Sequence, residues 1–305
     1  MSPAAPRFGA VVTAMATPFR EDGSLDLEGA VRLARHLVEH GSDALVVTGS
    51  TGEVSTLADG ERIELWRAVA AAVPVPVLAG STSNDTAHSI ELTREAQAAG
   101  AAGILAVCPY YNRPSQAGLE VHFRAVAEAT SLPVVLYDIP VRTGRKIAGA
   151  TILRLAREVP NVVALKDAAG DPAATARVLA GAPAGFECYS GDDAMTLPLL
   201  AIGAVGLIGV ATHWCGRECG EAIARFRAGD LDGALEVWRA LLDSFAFESS
   251  EDAPNPVPLK AMLRVLGLPA GPCRAPLGPT PSGLEDEAKD VLARLDAWRR
   301  ERGVG

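Results

Sequence analysis

Of the 28 Lys and Arg residues only four are lysine, Lys146, Lys166, Lys260 and Lys289, and Lys166 ends an apolar run, Asn161-Val162-Val163-Ala164-Leu165-Lys166, that reads as a buried strand. A cation needed only for solubility or a surface ion pair can be arginine as easily as lysine. Imine chemistry cannot make that exchange, because guanidinium keeps its proton at ordinary pH and a primary amine can release it. Apolar neighbours disfavour the charged form of an amine and free its lone pair to attack a carbonyl. The plainer alternative is a lysine whose stem packs while its head reaches water at a strand end.

Other chemistry-bearing residues weigh against that alternative. Tyr137 ends a second apolar run, in Tyr137-Asp138-Ile139-Pro140. A phenol one strand spacing from an amine can carry protons to and from a carbinolamine, a step that imine formation requires. Arg142 follows five residues later, where a guanidinium could grip a carboxylate in bidentate fashion. Gly49-Ser50-Thr51-Gly52 gathers hydroxyls and backbone N–H groups in a tight turn suited to a carboxylate or phosphate. The turn lacks the lysine of a P-loop, which argues against a nucleoside triphosphate. Each segment also has a structural reading: a capped turn, a core tyrosine with a satisfied hydroxyl, a loop arginine.

The elements needed to bring these residues together are legible as alternation. Strand-like runs fall near 9–15, 43–49, 75–80, 103–108, 133–139, 161–166, 186–190 and 203–210. Helical patterns lie between them at 27–39, 60–72, 85–99, 116–129, 150–158, 172–179 and 194–202. Runs such as Leu45-Val46-Val47 and Val134-Val135-Leu136 are apolar on both faces, as parallel strands covered by helices must be. Eight such units predict a closed (β/α)8 TIM barrel, with an open doubly wound sheet as the alternative. No G-x-G-x-x-G follows any strand, which removes the usual dinucleotide loop of that alternative. From 213 the pattern is purely helical, at 213–228, 231–247, 256–266 and 282–301, so the chain divides into a barrel, 1–230, and a C-terminal helical domain, 231–305. The Pro-rich stretch 268–281 reads as a linker or ordered loop. Because a barrel's active site sits at the C-terminal ends of its strands, Ser50, Tyr110, Tyr111, Tyr137, Lys166 and Ser190 all fall where a pocket is expected.

A net charge of −9 and a pI near 5.1 argue against nucleic acid or anionic membrane as the main partner. Positions 1–10 lack a leader's apolar segment, and no uninterrupted apolar run is long enough to span a membrane. Five scattered cysteines fit a reduced, cytoplasmic chain. Cys215, Cys219 and His213 are the only hint of a metal site, and they lack a second ligand pair, so neither metal nor cofactor is expected.

Taken together, Gly49-Ser50-Thr51-Gly52-Glu53, Tyr110-Tyr111-Asn112, Tyr137-Asp138-Ile139-Pro140, Leu165-Lys166-Asp167 and Ser190-Gly191-Asp192-Asp193 resemble the dihydrodipicolinate synthase / N-acetylneuraminate lyase family of pyruvate-dependent class I aldolases. The resemblance covers nearly the whole chain. It implies that Lys166 forms the imine with pyruvate and that Tyr137 transfers protons. Ser50 or Thr51 would bind the pyruvate carboxylate, and Ser50 would link Tyr137 to Tyr111 of a neighbouring subunit. Ile208 would offer a backbone contact. Arg142 and Asn255-Pro256-Val257-Pro258-Leu259-Lys260 look like the synthase branch, in which pyruvate condenses with aspartate 4-semialdehyde on the way to diaminopimelate and lysine. The alternatives are a sibling lyase of neuraminate or 2-keto-3-deoxy sugar acids, and a non-catalytic ligand-binding barrel. Ser50 departs from the threonine more frequent in synthases, and Asp138 from a frequent asparagine. The resemblance also implies a homotetramer built as a dimer of dimers. In lysine-inhibited members the effector binds at the dimer interface, near positions that correspond here to Arg62, Asn84, His88 and Tyr110.

Overall fold

A computed structural model describes residues 5–303; the first four residues of the segment 1–10 and the last two of the chain lie outside them. The eight apolar runs form β1 (Val11–Ala14), β2 (Ala44–Val47), β3 (Val77–Ala79), β4 (Gly103–Val107), β5 (Val134–Asp138), β6 (Val162–Asp167), β7 (Glu187–Ser190) and β8 (Gly206–Gly209). All pair in parallel, each with its neighbour in sequence, and β8 returns to β1 to close the barrel. The expected (β/α)8 fold is therefore present, and the open-sheet alternative is not. Alternation along each strand explains the unbroken apolar runs. Val12, Val46, Leu78, Leu105, Val135 and Ile208 fill the interior, while Val11, Leu45, Val47, Ile104 and Leu136 pack outward against helices.

The surrounding helices are α1 (Leu27–Glu39), α2 (Asp59–Ala72), α3 (Thr86–Ala98), α4 (Gln116–Glu128), α5 (Pro140–Thr143), α6 (Gly149–Glu158), α7 (Pro172–Gly181), α8 (Thr196–Leu200) and α9 (Thr212–Arg227). Asp26, Asp85, Ser115 and Asp171 fix four helix starts by accepting first-turn N–H groups. Two details differ from the sequence reading. The helix expected over 194–202 is a 3-10 turn, Asp193–Met195, followed by the short α8. Pro198 has no N–H to bond back to residue 194, so a regular helix cannot run through the whole stretch. The turn after Tyr137 holds the single-turn α5, which carries Arg142.

Beyond the barrel lie α10 (Leu231–Phe247), α11 (Val257–Val265) and α12 (Leu284–Glu301). Val237, Leu241, Met262 and Leu295 on these helices share one continuous apolar cluster with the outer layer of the barrel. The 268–281 segment is an ordered loop folded back onto the barrel, not a spacer. Arg274 in it pairs with Glu61 at 2.5 Å and lies over the Phe19 ring. Among the described residues no helix is long and apolar enough to cross a membrane.

Candidate active site

Tyr137 and Lys166 are direct register partners on β5 and β6. Both are 4% exposed, and Lys166 Nζ sits 4.2 Å from the centroid of the Tyr137 ring. Amine and phenol therefore share one end of the barrel interior. Gly191 leaves space for the lysine stem, since a Cβ there would lie 3.0 Å from Lys166 Cγ and Cε.

At Tyr137 opens a cavity of about 250 Å³, lined also by Ser50, Tyr110, Arg142 and Asn255. Ser50 reaches it because of how β2 ends. Thr48 adopts φ 61°, a left-handed conformation rare for a β-branched residue. Its hydroxyl accepts a hydrogen bond from Trp66 Nε1 at 2.8 Å. Gly80 gives the turn room, because a Cβ there would meet the Thr48 carbonyl oxygen at 2.3 Å.

The remaining sequence candidates are distributed unevenly. Thr51 is buried and its hydroxyl accepts from Asn255 Nδ2 at 3.1 Å. Arg142 leans over the cavity and donates to the Asn255 carbonyl at 3.2 Å. Ile208 is buried in the barrel interior beside Val12. Tyr111 stands apart. It is 90% exposed with φ 71°, pointing out of its own barrel, while Tyr110 lines the cavity.

Asn255 is the cavity residue that chemistry-based reading of the sequence overlooked. It touches Thr51 and Arg142 at once, and its buried Oδ1 has no partner within the chain. Its only sequence signal was its place in Asn255-Pro256-Val257-Pro258-Leu259-Lys260. Glu53, at the end of the Ser50 turn, is also buried. Its carboxylate lies 2.5 Å from Lys260 Nζ and accepts Arg274 N–H at 2.8 Å. Lys260, fully buried, also donates to the Pro272 carbonyl. Burial pushes its pKa down while the charge of Glu53 holds it up.

Residues 7–295 match the model of the dihydrodipicolinate synthetase family. The chain belongs to this family. It is 52% identical to 4-hydroxy-tetrahydrodipicolinate synthase of Moorella thermoacetica, over 94% of this chain and 97% of that one. It is 54% identical to the enzyme of the same name from Acidothermus cellulolyticus, over 94% and 90%. Dihydrodipicolinate synthase from Bacillus anthracis superposes with a TM-score of 0.91 at 40% identity, covering 94% and 98% of the two chains. DHDPS from Cyanidioschyzon merolae, solved with lysine bound, gives 0.91 at 42% identity over 95% and 98%.

Three further groups at this end of the barrel have definable states. His213 Nδ1 faces the Val210 carbonyl at 2.7 Å and Nε2 faces the Ala16 N–H at 3.2 Å. That pairing assigns the neutral tautomer with Nδ1 protonated, and burial pushes its pKa down to about 4. With both nitrogens engaged, His213 has none to offer a metal alongside Cys215 and Cys219, whose sulfurs lie 3.9 Å apart. Asp193, buried after β7, accepts Val210 N–H, and burial pushes it up to about 6. Burial and Asp193 together push Glu248 up as well.

Proposed function

We propose that this chain is a 4-hydroxy-tetrahydrodipicolinate synthase, joining pyruvate to aspartate 4-semialdehyde in the cytoplasm. The observation that carries the reading is a buried lysine against a register-paired tyrosine that lines one cavity together with an arginine. The names of the relatives support the same product, and the five free thiols suit a reducing compartment.

In this reading Lys166 Nζ adds to the pyruvate carbonyl carbon, and the carbinolamine loses its oxygen as water to give the iminium. Tyr137 supplies and removes the protons of these steps. Ser50 or Thr51 holds the carboxylate, Ile208 adds a backbone contact, and Ser50 extends the proton path. Loss of a methyl proton gives the enamine. Its carbon bonds to the aldehyde carbon, whose oxygen takes a proton to become the hydroxyl. The amine of the second substrate then attacks the imine carbon, closing the ring as the Lys166 Nζ bond breaks. Arg142 orients that substrate through its carboxylate.

Tyr111 completes the proposal at a subunit boundary. A tyrosine 90% exposed at φ 71° is of no use to its own barrel, and we assign it to the neighbour's proton path in a homotetramer. Borohydride reduction with pyruvate should add one pyruvyl group per chain, at Lys166. A coupled assay should show turnover with aspartate 4-semialdehyde. Labelling of Lys146, Lys260 or Lys289 instead, or preference for N-acetylneuraminate, would overturn the assignment.

A further inference from the structure

Tyr137 and Lys166 face the barrel interior, so Asp138 and Asp167, the next residues, face outward beneath the helices. Asp167 is engaged by the Thr175 hydroxyl and by Ala169 N–H at 2.8 Å. Asp138, 2% exposed, accepts Ile147 N–H at 3.0 Å and has Lys146 Nζ at 3.7 Å. Residues 139–147 thus leave β5 at Asp138 and are tied back to the same side chain after forming α5.

We propose that Asp138 is a positioning residue for Arg142: its carboxylate closes the 139–147 loop and so sets where the Arg142 guanidinium stands over the cavity. The inference rests on Arg142 meeting the carboxylate of the second substrate, as proposed above. Thr143 and Gly144 stiffen the loop internally, through a 3.1 Å bond from the Thr143 hydroxyl to the Ile139 carbonyl and a 2.8 Å bond from Gly144 N–H to the Pro140 carbonyl. Displacement at the tie is therefore passed along the loop to Arg142.

Burial pushes Asp138 up to about 6, against the Ile147 N–H and the Lys146 charge, with the like charge of Asp167 adding to the rise. Cys108, packed nearby, is pushed up to about 12 and stays a neutral thiol. Arg145 is directed away, donating to the Arg113 carbonyl at 2.8 Å. A folded value above the unfolded one means that the proton-bound form favours folding. That stability contribution is present at acid pH and is lost as pH rises through about 6. An amide at 138 would avoid the loss while keeping an acceptor for Ile147. What it would forfeit is the charged tie to Lys146.

Asp138→Asn separates the two effects. At pH 8 it should melt no lower than wild type, yet raise KM for the aldehyde about two- to fivefold, the range for a partly exposed ion pair. KM for pyruvate and borohydride labelling of Lys166 should not change. Lys146→Met should reproduce the shift, and wild type should approach both variants at pH 5.5. Amide exchange across 139–147, corrected for its intrinsic pH dependence, should be faster in both variants at pH 8. Unchanged exchange and unchanged aldehyde KM in Asp138→Asn, or equal changes in both KM values with a lower Tm, would overturn the proposal. If wild type neither traps pyruvate nor uses the aldehyde, the functional reading fails, and the exchange comparison still decides whether Asp138 orders the loop.

Discussion

At the scale of single residues, the distinction between lysine and arginine carries the chemistry. Lys166→Arg keeps the charge and loses the nucleophile, so borohydride trapping should vanish while the fold persists, as circular dichroism would show. Tyr137→Phe keeps the ring that packs against Lys166 Nζ and removes only the hydroxyl. Its kcat should fall by about 10²–10⁴, the usual range for losing an acid/base group, with pyruvate labelling slower but still directed to Lys166. A kcat within threefold of wild type would exclude Tyr137 from proton transfer. Arg142→Ala should raise KM for the aldehyde far more than for pyruvate, since the guanidinium is proposed to meet only the second carboxylate. These candidates could be picked out because each has a residue type that its proposed step cannot exchange. Asn255 was not. An asparagine in a loop is ordinary in sequence, and only the fold brings it against Thr51 and Arg142, more than a hundred residues away in sequence.

At the scale of elements, the turn that presents Ser50 and Thr51 depends on a helix more than two hundred residues away in the chain. Lys260 on α11 and Glu53 at the end of the turn are both fully buried as side chains and meet at 2.5 Å. Lys260→Met fills similar space but strands the Glu53 carboxylate in the interior, and removing one partner of a buried pair costs about 3–5 kcal/mol. Tm should drop by roughly 5–15 °C. The double variant Glu53→Gln/Lys260→Met should recover most of that loss, because it removes the uncompensated charge. No recovery would show that Lys260 acts through packing against Phe19 instead. The barrel itself was readable from its βα period, since eight two-sided apolar runs have few other ways to be buried. The fold-back of residues 268–281 was not readable. Its Pro and Gly content describes a loop equally well whether it spans solvent or, through Pro276 and Leu277, walls the cavity. The one-turn α5 was hidden for a related reason, as four residues are too few for a helical period to show.

At the scale of the whole molecule, the open question is control by lysine, which is bound in the related DHDPS from Cyanidioschyzon merolae. The positions that resemblance assigns to an effector cleft are occupied here by groups already committed to one another. Arg62 is 4% exposed, donates to the Gly80 carbonyl at 2.9 Å, and lies 5.7 Å from the Trp66 ring centroid. His88 Nε2 meets Asp59 at 2.9 Å, and the same carboxylate lies 3.7 Å from Arg62. The nearest carboxylate is thus shared between an arginine and a histidine, and a guanidinium stands where an incoming ammonium would need an acceptor. Facing a second cation at partly buried range, lysine loses its attraction and meets a repulsion of about 1 kcal/mol or more. Inhibition by millimolar lysine should therefore be weak or absent when both substrates are near KM. Arg62→His together with His88→Glu, which removes the permanent cation and introduces a carboxylate, should make the enzyme lysine-sensitive. Initial rates over a lysine titration distinguish the outcomes. Strong inhibition of the wild type would mean that lysine is held by side chains other than these, and failure of the double variant to gain sensitivity would remove Arg62 and His88 as the cause.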